Sequence, residues 1–206
     1  GGDAVPTWHA GYPGHASIPA FVGCPIEFQE DTVWWYPILD GDSLDVSGIT
    51  IDPENRWWQY GIELQRLAVS QSLGKCIPAI VAAFGGCGDT LAAYRGSERL
   101  LFDCVERPEE VRHAELTLME QWKGIYDAFY TIARDAAEGS ATWFPLWAPG
   151  RCYATHCDFS FNISPRMFRE IFLPALERQL EFIEYPIYHL DGTGAFGHLP
   201  TLMDLP

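Results

Sequence analysis

Basic residues are scarce in this sequence. Only 13 of its 206 residues are Lys or Arg, whereas 28 are Asp or Glu, so the formal net charge at pH 7 is −15. Binding to a nucleic-acid backbone requires clustered Lys and Arg side chains, and attraction to an anionic membrane surface requires the same. The composition therefore argues against a nucleic-acid partner and against a membrane-surface role.

Long apolar runs and closely spaced cysteines are also lacking. No run approaches the roughly 18 apolar residues of a membrane-spanning helix, and no signal peptide opens the chain. The six cysteines form no C-x-x-C pair, which favours reduced thiols over disulfides. These absences predict a soluble, cytoplasmic protein. Because Gly1 is not preceded by methionine and Pro206 follows the start of a predicted helix, we expect a piece of a longer chain.

Aromatic residues, in contrast, are plentiful, with 8 Trp, 9 Tyr and 12 Phe. The hydrophobic fraction of 48% is enough to build the core of one domain. Residues 1–55 are rich in Pro, Gly and Trp and lack periodicity, which predicts a loop-rich N-terminal part. Residues 56–206 alternate between helix-like and strand-like patterns, so we expect successive βα units within the same single domain.

The alternation of short strands and helices predicts an α/β fold with parallel strands joined by crossover helices. A doubly wound sheet and a (β/α)8 TIM barrel both fit this pattern. The barrel typically needs about 250 residues, so a barrel would be incomplete here, with strands missing at one or both ends. Helical spacing spans residues 57–73, 108–137 and 164–183, and short apolar or extended segments span 77–84, 141–147, 153–160 and 187–191.

Functional groups in parallel α/β folds lie at the carboxyl ends of the strands. The first such end reads GGCGDTLAAY at residues 85–94. This segment resembles a glycine loop that binds phosphate, but it lacks the third glycine and the Lys-Ser/Thr pair of nucleotide-binding loops. A tight turn into a helix capped by Asp89 is the favoured interpretation.

Two further strand ends contain histidine and aspartate. Strand alternation places His156, Asp158 and Ser160 on one face of the segment at residues 153–160. The same alternation places His189 and Asp191 on one face, roughly 7 Å apart. Such a pair can reach one metal ion or one substrate group, although a strand histidine is also common as a core residue whose hydrogen bonds are satisfied.

These strand ends, taken in order, resemble the uroporphyrinogen decarboxylase superfamily of (β/α)8 barrels. The residues that carry the resemblance are TLAAY at 90–94, DFS at 158–160, ISPRMF at 163–168, LP at 173–174 and YHLDG at 188–192. The similarity runs from about residue 74 to the end of the chain. It implies an enzyme that acts on a tetrapyrrole, with Tyr94 and Ser160 as residues that bind the tetrapyrrole.

The resemblance implies one of two chemistries. In cobamide-dependent methyltransferases of this superfamily, a zinc ion held by His-x-Cys and a later Cys activates a thiol. His189 matches the zinc histidine, and Asp191 stands where the thiolate is expected, so both are predicted metal ligands. Methyl transfer with a corrinoid, or with a protein that carries one, is the specific expectation, with Tyr94, Asp158, Ser160 and His189 as catalytic residues.

Other functions remain open at the level of sequence. Decarboxylation of uroporphyrinogen in porphyrin biosynthesis would need no cofactor, but arginines that grip its carboxylates would lie upstream of Gly1. A barrel without catalytic activity could bind a corrinoid or a partner protein. A homodimer is compatible with either chemistry.

Overall fold

The computed structural model describes residues 5–9, 17–30, 32–81 and 83–205, which form a mixed helical and strand structure. The helices are α1 (Ile18–Phe21), α2 (Arg56–Ser72), α3 (Asp89–Arg95), α4 (Ser97–Glu106), α5 (Pro108–Ala137), α6 (Pro165–Met167), α7 (Leu173–Phe182) and α8 (Leu199–Met203). The strands are β1 (Thr7–Trp8), β2 (Ile26–Phe28), β3 (Val33–Trp35), β4 (Ile77–Pro78), β5 (Ser140–Ala141), β6 (Trp147–Ala148), β7 (Cys152–Thr155) and β8 (Tyr185–Tyr188).

The long helices begin where the sequence predicts them. Asn55 caps α2, because its side-chain oxygen accepts hydrogen bonds from the backbone N–H groups of Trp57 and Trp58. Pro108 opens α5 at a position that needs no N–H donor. The Ser164 hydroxyl accepts a hydrogen bond from the Met167 N–H at the start of α6, and a π-helical turn at Phe168–Phe172 joins α6 to α7.

The strands are shorter than predicted, and they form small sheets. β1 pairs with β4 and β7 with β8 in parallel, whereas β2 with β3 and β5 with β6 are antiparallel hairpins. The prediction of one strand over residues 141–147 is wrong, since proline and the Trp143-Phe144 pair lie in the turn between β5 and β6. No closed barrel is formed by the residues described, so the α/β class is supported while the TIM barrel stays a prediction.

Hydrogen bonds nevertheless connect the two parallel pairs through β5. Beyond the end of β4, the Ile80 N–H donates to the Ala141 carbonyl of β5 at 3.0 Å. The Ser140 hydroxyl then accepts from the Cys152 N–H of β7 at 2.8 Å. Together with the two parallel pairs, these bonds place β1, β4, β5, β7 and β8 side by side in chain order.

An aromatic cluster between the strands and α5 forms the centre of the core. Phe84 contacts Trp122, Tyr126, Phe129 and Tyr153, with ring centroids between 5.2 and 6.1 Å apart. The Tyr153 hydroxyl is not left unsatisfied, because it accepts a hydrogen bond from the Phe84 N–H. Within the described ranges, no helix combines the length and the apolarity that crossing a membrane requires.

Position 86 requires glycine because the chain there passes very close to the backbone of His156. A Cβ atom on Gly86 would lie 1.8 Å from the carbonyl oxygen of His156, and a backbone atom cannot swing away as a flexible side chain can. On α5, a Cβ on the exposed Gly124 would meet nothing within 4 Å.

We therefore expect opposite effects from two glycine-to-alanine substitutions. Gly86→Ala should lower the free energy of unfolding by about 1–3 kcal/mol or more, as overpacking does. Gly124→Ala should raise it by about 0.5–1 kcal/mol, because alanine is the better helix former. Urea unfolding followed by circular dichroism measures both, and equal effects of the two variants would contradict the close approach.

Candidate functional site

Polar side chains that follow the strands β1, β5, β7 and β8 converge on one cavity of about 340 Å³. The carboxyl ends of parallel strands lie at the same edge, which is where α/β proteins place their sites. The cavity is lined by His9, Ala83, Trp143, His156, Asp158, His189 and Asp191.

Three side chains, of which His156 and Asp158 line this cavity, form a group that could hold a metal ion. One ligand atom each from Asp89, His156 and Asp158 lies within 4.8 Å of the others. His156 Nε2 is 3.6 Å from Asp89 Oδ2, and both side chains are largely buried, with 7% and 12% of their surface exposed. We call these three residues the Asp-His-Asp cluster.

Backbone hydrogen bonds hold Asp89 in the cluster. Asp89 was predicted to cap α3, but it is the first residue of that helix, and Gly88 precedes it with φ of +79°. Its carboxylate accepts hydrogen bonds from the N–H groups of Asp158 at 3.2 Å and Phe159 at 2.8 Å. The carboxylate thus ties the start of α3 to the 3-10 turn at Asp158–Asn162.

The glycine-rich loop before α3 allows the start of α3 to pack against the segment that follows β7. Gly86 approaches the His156 backbone, and a Cβ on Gly88 would lie 2.9 Å from Cβ of Phe159. The glycines therefore let the two strand ends approach closely, which agrees with the prediction of a tight turn.

Burial shapes the electrostatics of the cluster. Burial raises the pKa of the Asp89 carboxyl above its ordinary value. The neighbouring His156 and the two backbone N–H groups act in the opposite direction, while Asp158 adds to the increase. A cation between the carboxylates would relieve both the burial and the repulsion of like charges.

A second buried carboxyl lies behind the cluster. Glu115 of α5 accepts a hydrogen bond from the Gly88 N–H at 3.0 Å through one oxygen, and its other oxygen has no partner among the described residues. Burial raises its pKa to about 8, and the charge of Asp89 contributes to the same shift. Glu115 is therefore largely protonated at neutral pH.

His189 and Asp191 both line the cavity, but neither is a member of a strand, as the predicted strand face required. β8 ends at Tyr188, and the His189 N–H donates to the Thr155 carbonyl at 2.8 Å. The His189 ring packs edge-on against Trp143 at 5.1 Å and lies 6.3 Å from the His156 ring. Their role as a metal-binding pair remains a prediction.

Tyr94 and Ser160 do not line the cavity. Tyr94 is fully buried in the core, where burial raises its pKa well above the ordinary value. Ser160 is also buried, and its carbonyl oxygen lies 2.9 Å from His198 Nε2. The predicted strand face that joined Ser160 to His156 and Asp158 is wrong, because β7 ends at Thr155 and a 3-10 turn follows.

Sequence reasoning did not assign Asp89, His9, Trp143 or His156 to the site. Asp89 was interpreted as a helix cap, since a capping carboxylate and a ligand carboxylate look alike in sequence. His156 was noted at a strand end, and its buried partner could not be identified without the fold. His9 follows β1 in the loop-rich part, where periodicity gives no signal.

Glu115 makes stability depend on pH in a defined window. Between the ordinary pKa of 4.5 and the raised value of about 8, the folded protein retains a proton that the unfolded chain has lost. The free energy of unfolding should therefore fall as the pH rises through this window. Glu115→Gln should remove that part of the fall and be more stable by a few kcal/mol near pH 8.5.

Urea unfolding at pH 5 and pH 8.5 measures this difference, with the exposed Glu177→Gln as the matched control. Identical pH dependence of Glu115→Gln and the unsubstituted protein would show that Glu115 is not held protonated.

Comparison of the chain with protein-family models, with curated proteins and with solved structures gave no match.

Proposed function

We propose that the protein is a metal-dependent enzyme of the uroporphyrinogen decarboxylase type that transfers a methyl group with a corrinoid. The observation on which this rests is the Asp-His-Asp cluster at a cavity where strand ends converge. The two parallel pairs, β1 with β4 and β7 with β8, support our proposal of a (β/α)8 barrel.

The cluster is chemically suited to a divalent metal ion. His156 is buried, and its Nε2 faces Asp89 Oδ2 at 3.6 Å, which is beyond hydrogen-bond distance. A buried polar nitrogen without a hydrogen bond is costly, and coordination of an ion would satisfy it. Imidazole with carboxylates is a ligand set used for zinc and for other first-row metals. Asp89, His156 and Asp158 would hold the ion, and His189 is the neighbouring imidazole.

A bound divalent ion would supply a Lewis acid that lowers the pKa of a substrate thiol or hydroxyl. The side chains around it would orient the substrate and accept its proton. His189 lines the cavity and is positioned against Trp143 and Phe144, so its ring can take that proton. Asp191 lies at the same cavity and can stabilise the resulting imidazolium.

The size of the cavity bears on its partners. A volume of about 340 Å³ is near the lower end of the range of roughly 300–1,000 Å³ found for small-molecule sites. A small substrate fits this volume, but a whole corrinoid is larger. We therefore propose that a separate corrinoid protein presents the macrocycle at the mouth of the cavity.

Decarboxylation of uroporphyrinogen is less well supported. That substrate is a polyanion, and the described residues that line the cavity include two aspartates but neither Lys nor Arg. Carboxylates placed beside Asp158 and Asp191 would be repelled.

Metal binding tests the proposal. Full-length protein freed of metal and titrated with Zn²⁺ in a calorimeter should bind one ion per chain. Asp158→Asn and His156→Gln should each weaken binding at least about 10-fold, because each removes a ligand. Asp135→Asn, at a site that is 93% exposed on α5, is the matched control and should bind normally.

Absence of stoichiometric binding would refute the metal-dependent enzyme. If His189→Ala and Asp191→Asn abolish Zn²⁺ binding while Asp158→Asn binds normally, the metal ligands are His189 and Asp191, the pair predicted from the sequence. Turnover of uroporphyrinogen by the metal-free protein would establish decarboxylation instead.

A further inference from the structure

A second opening reaches the carboxylates of the Asp-His-Asp cluster. It is a groove of about 540 Å³ between the β2–β3 hairpin on one side and α3 with the 3-10 turn on the other. Asp158 lines both this groove and the cavity, so the cluster lies where the two meet. The groove residues used below are Trp34, Trp35, Asp89, Ala92, Asp158 and Phe159.

The walls of the groove are aromatic. Trp34 is 56% exposed, although burying a tryptophan is normally favourable. The opposite wall includes Ala92 and the largely buried Phe159, so Trp34 supplies the most exposed aromatic surface of the groove. An exposed tryptophan beside polar groups in a groove is typical of a ligand site.

The groove is held in shape by hydrogen bonds. Ile26 pairs with Trp35 and Phe28 with Val33 across the hairpin. Beyond β3, the N–H groups of Ile38 and Leu39 both donate to the Tyr94 carbonyl of α3 at 2.9 Å. The hairpin wall is thus joined to the helix wall, and a flat ligand would need little reorganisation of the protein.

The charges of the groove residues restrict the kind of ligand that can bind there. Asp89 and Asp158 are the charged groups among the described lining residues, and Lys and Arg are absent from that lining. A divalent ion would neutralise the two carboxylates. The complementary ligand is then a neutral flat molecule with one donor atom for the ion.

We propose that the groove binds an aromatic substrate whose hydroxyl or thiol reaches the metal ion between Asp89 and Asp158, while its ring stacks on Trp34. This inference rests on the proposed metal-dependent function. The aromatic molecule would enter through the groove, while the corrinoid protein would present its macrocycle at the mouth of the cavity, so the two would approach the ion from different sides.

Thiol binding to full-length protein loaded with Co²⁺ tests the inference. Benzenethiol is the flat probe, and cyclohexanethiol is a control of similar size that cannot stack. Because benzenethiol is also the more acidic thiol, the decisive quantity is how far Trp34→Ala lowers the ratio of the two affinities. Benzenethiol should alter the visible absorption of the bound Co²⁺, quench tryptophan fluorescence and bind more tightly than cyclohexanethiol. Trp34→Ala should weaken benzenethiol about 2- to 10-fold, the range expected for one aromatic pair, and Trp34→Phe should restore most of the affinity.

Two controls keep the inference separate from the proposed function. Trp34→Ala should leave Co²⁺ affinity unchanged, and the exposed Phe102→Ala on α4, outside the groove, should leave benzenethiol affinity unchanged. Equal affinity for the two thiols, with no effect of Trp34→Ala, would refute binding of an aromatic substrate in the groove but not the metal site.

If Co²⁺ itself does not bind, the proposed metal-dependent function is refuted. Tight binding of benzyltrimethylammonium to metal-free protein would also overturn the inference, in favour of an organic cation.

Discussion

The hydrogen bonds from the Asp158 and Phe159 N–H groups to the Asp89 carboxylate hold the site together. They join the start of α3 to the turn after β7, and only glycines at positions 86 and 88 allow the two segments to approach so closely. One carboxylate thus satisfies backbone donors and brings Asp158 and His156 within reach of one ion. Its burial has an electrostatic cost that a bound cation would offset.

The arrangement around Asp89 divides the site into two halves. Histidines and Asp191 line the cavity at the strand ends, while tryptophans of the β2–β3 hairpin line the groove. An ion at the junction would be accessible from both. The transfer that we propose would use both openings, since two molecules of very different size could reach the ion at the same time.

Local signals in the sequence predicted much of the fold, and long-range contacts account for what they missed. Pro108 and Ser164 start helices because each avoids or satisfies an N–H within its own turn. Strand lengths depend on neighbours, so β7 ends at Thr155 and β8 at Tyr188, before the residues that alternation assigned to them. His189 and Asp191 still reach the cavity, but Asp89 could not be identified because its partners lie 69 and 70 residues away.

The position of a bound ion tests the central claim most directly. Crystals of the full-length protein soaked with Zn²⁺ should give an anomalous scattering peak about 2.0–2.2 Å from carboxylate oxygens of Asp89 and Asp158 and from a ring nitrogen of His156. A peak held only by His189 and Asp191, or no peak in the cavity at saturating Zn²⁺, would contradict the claim.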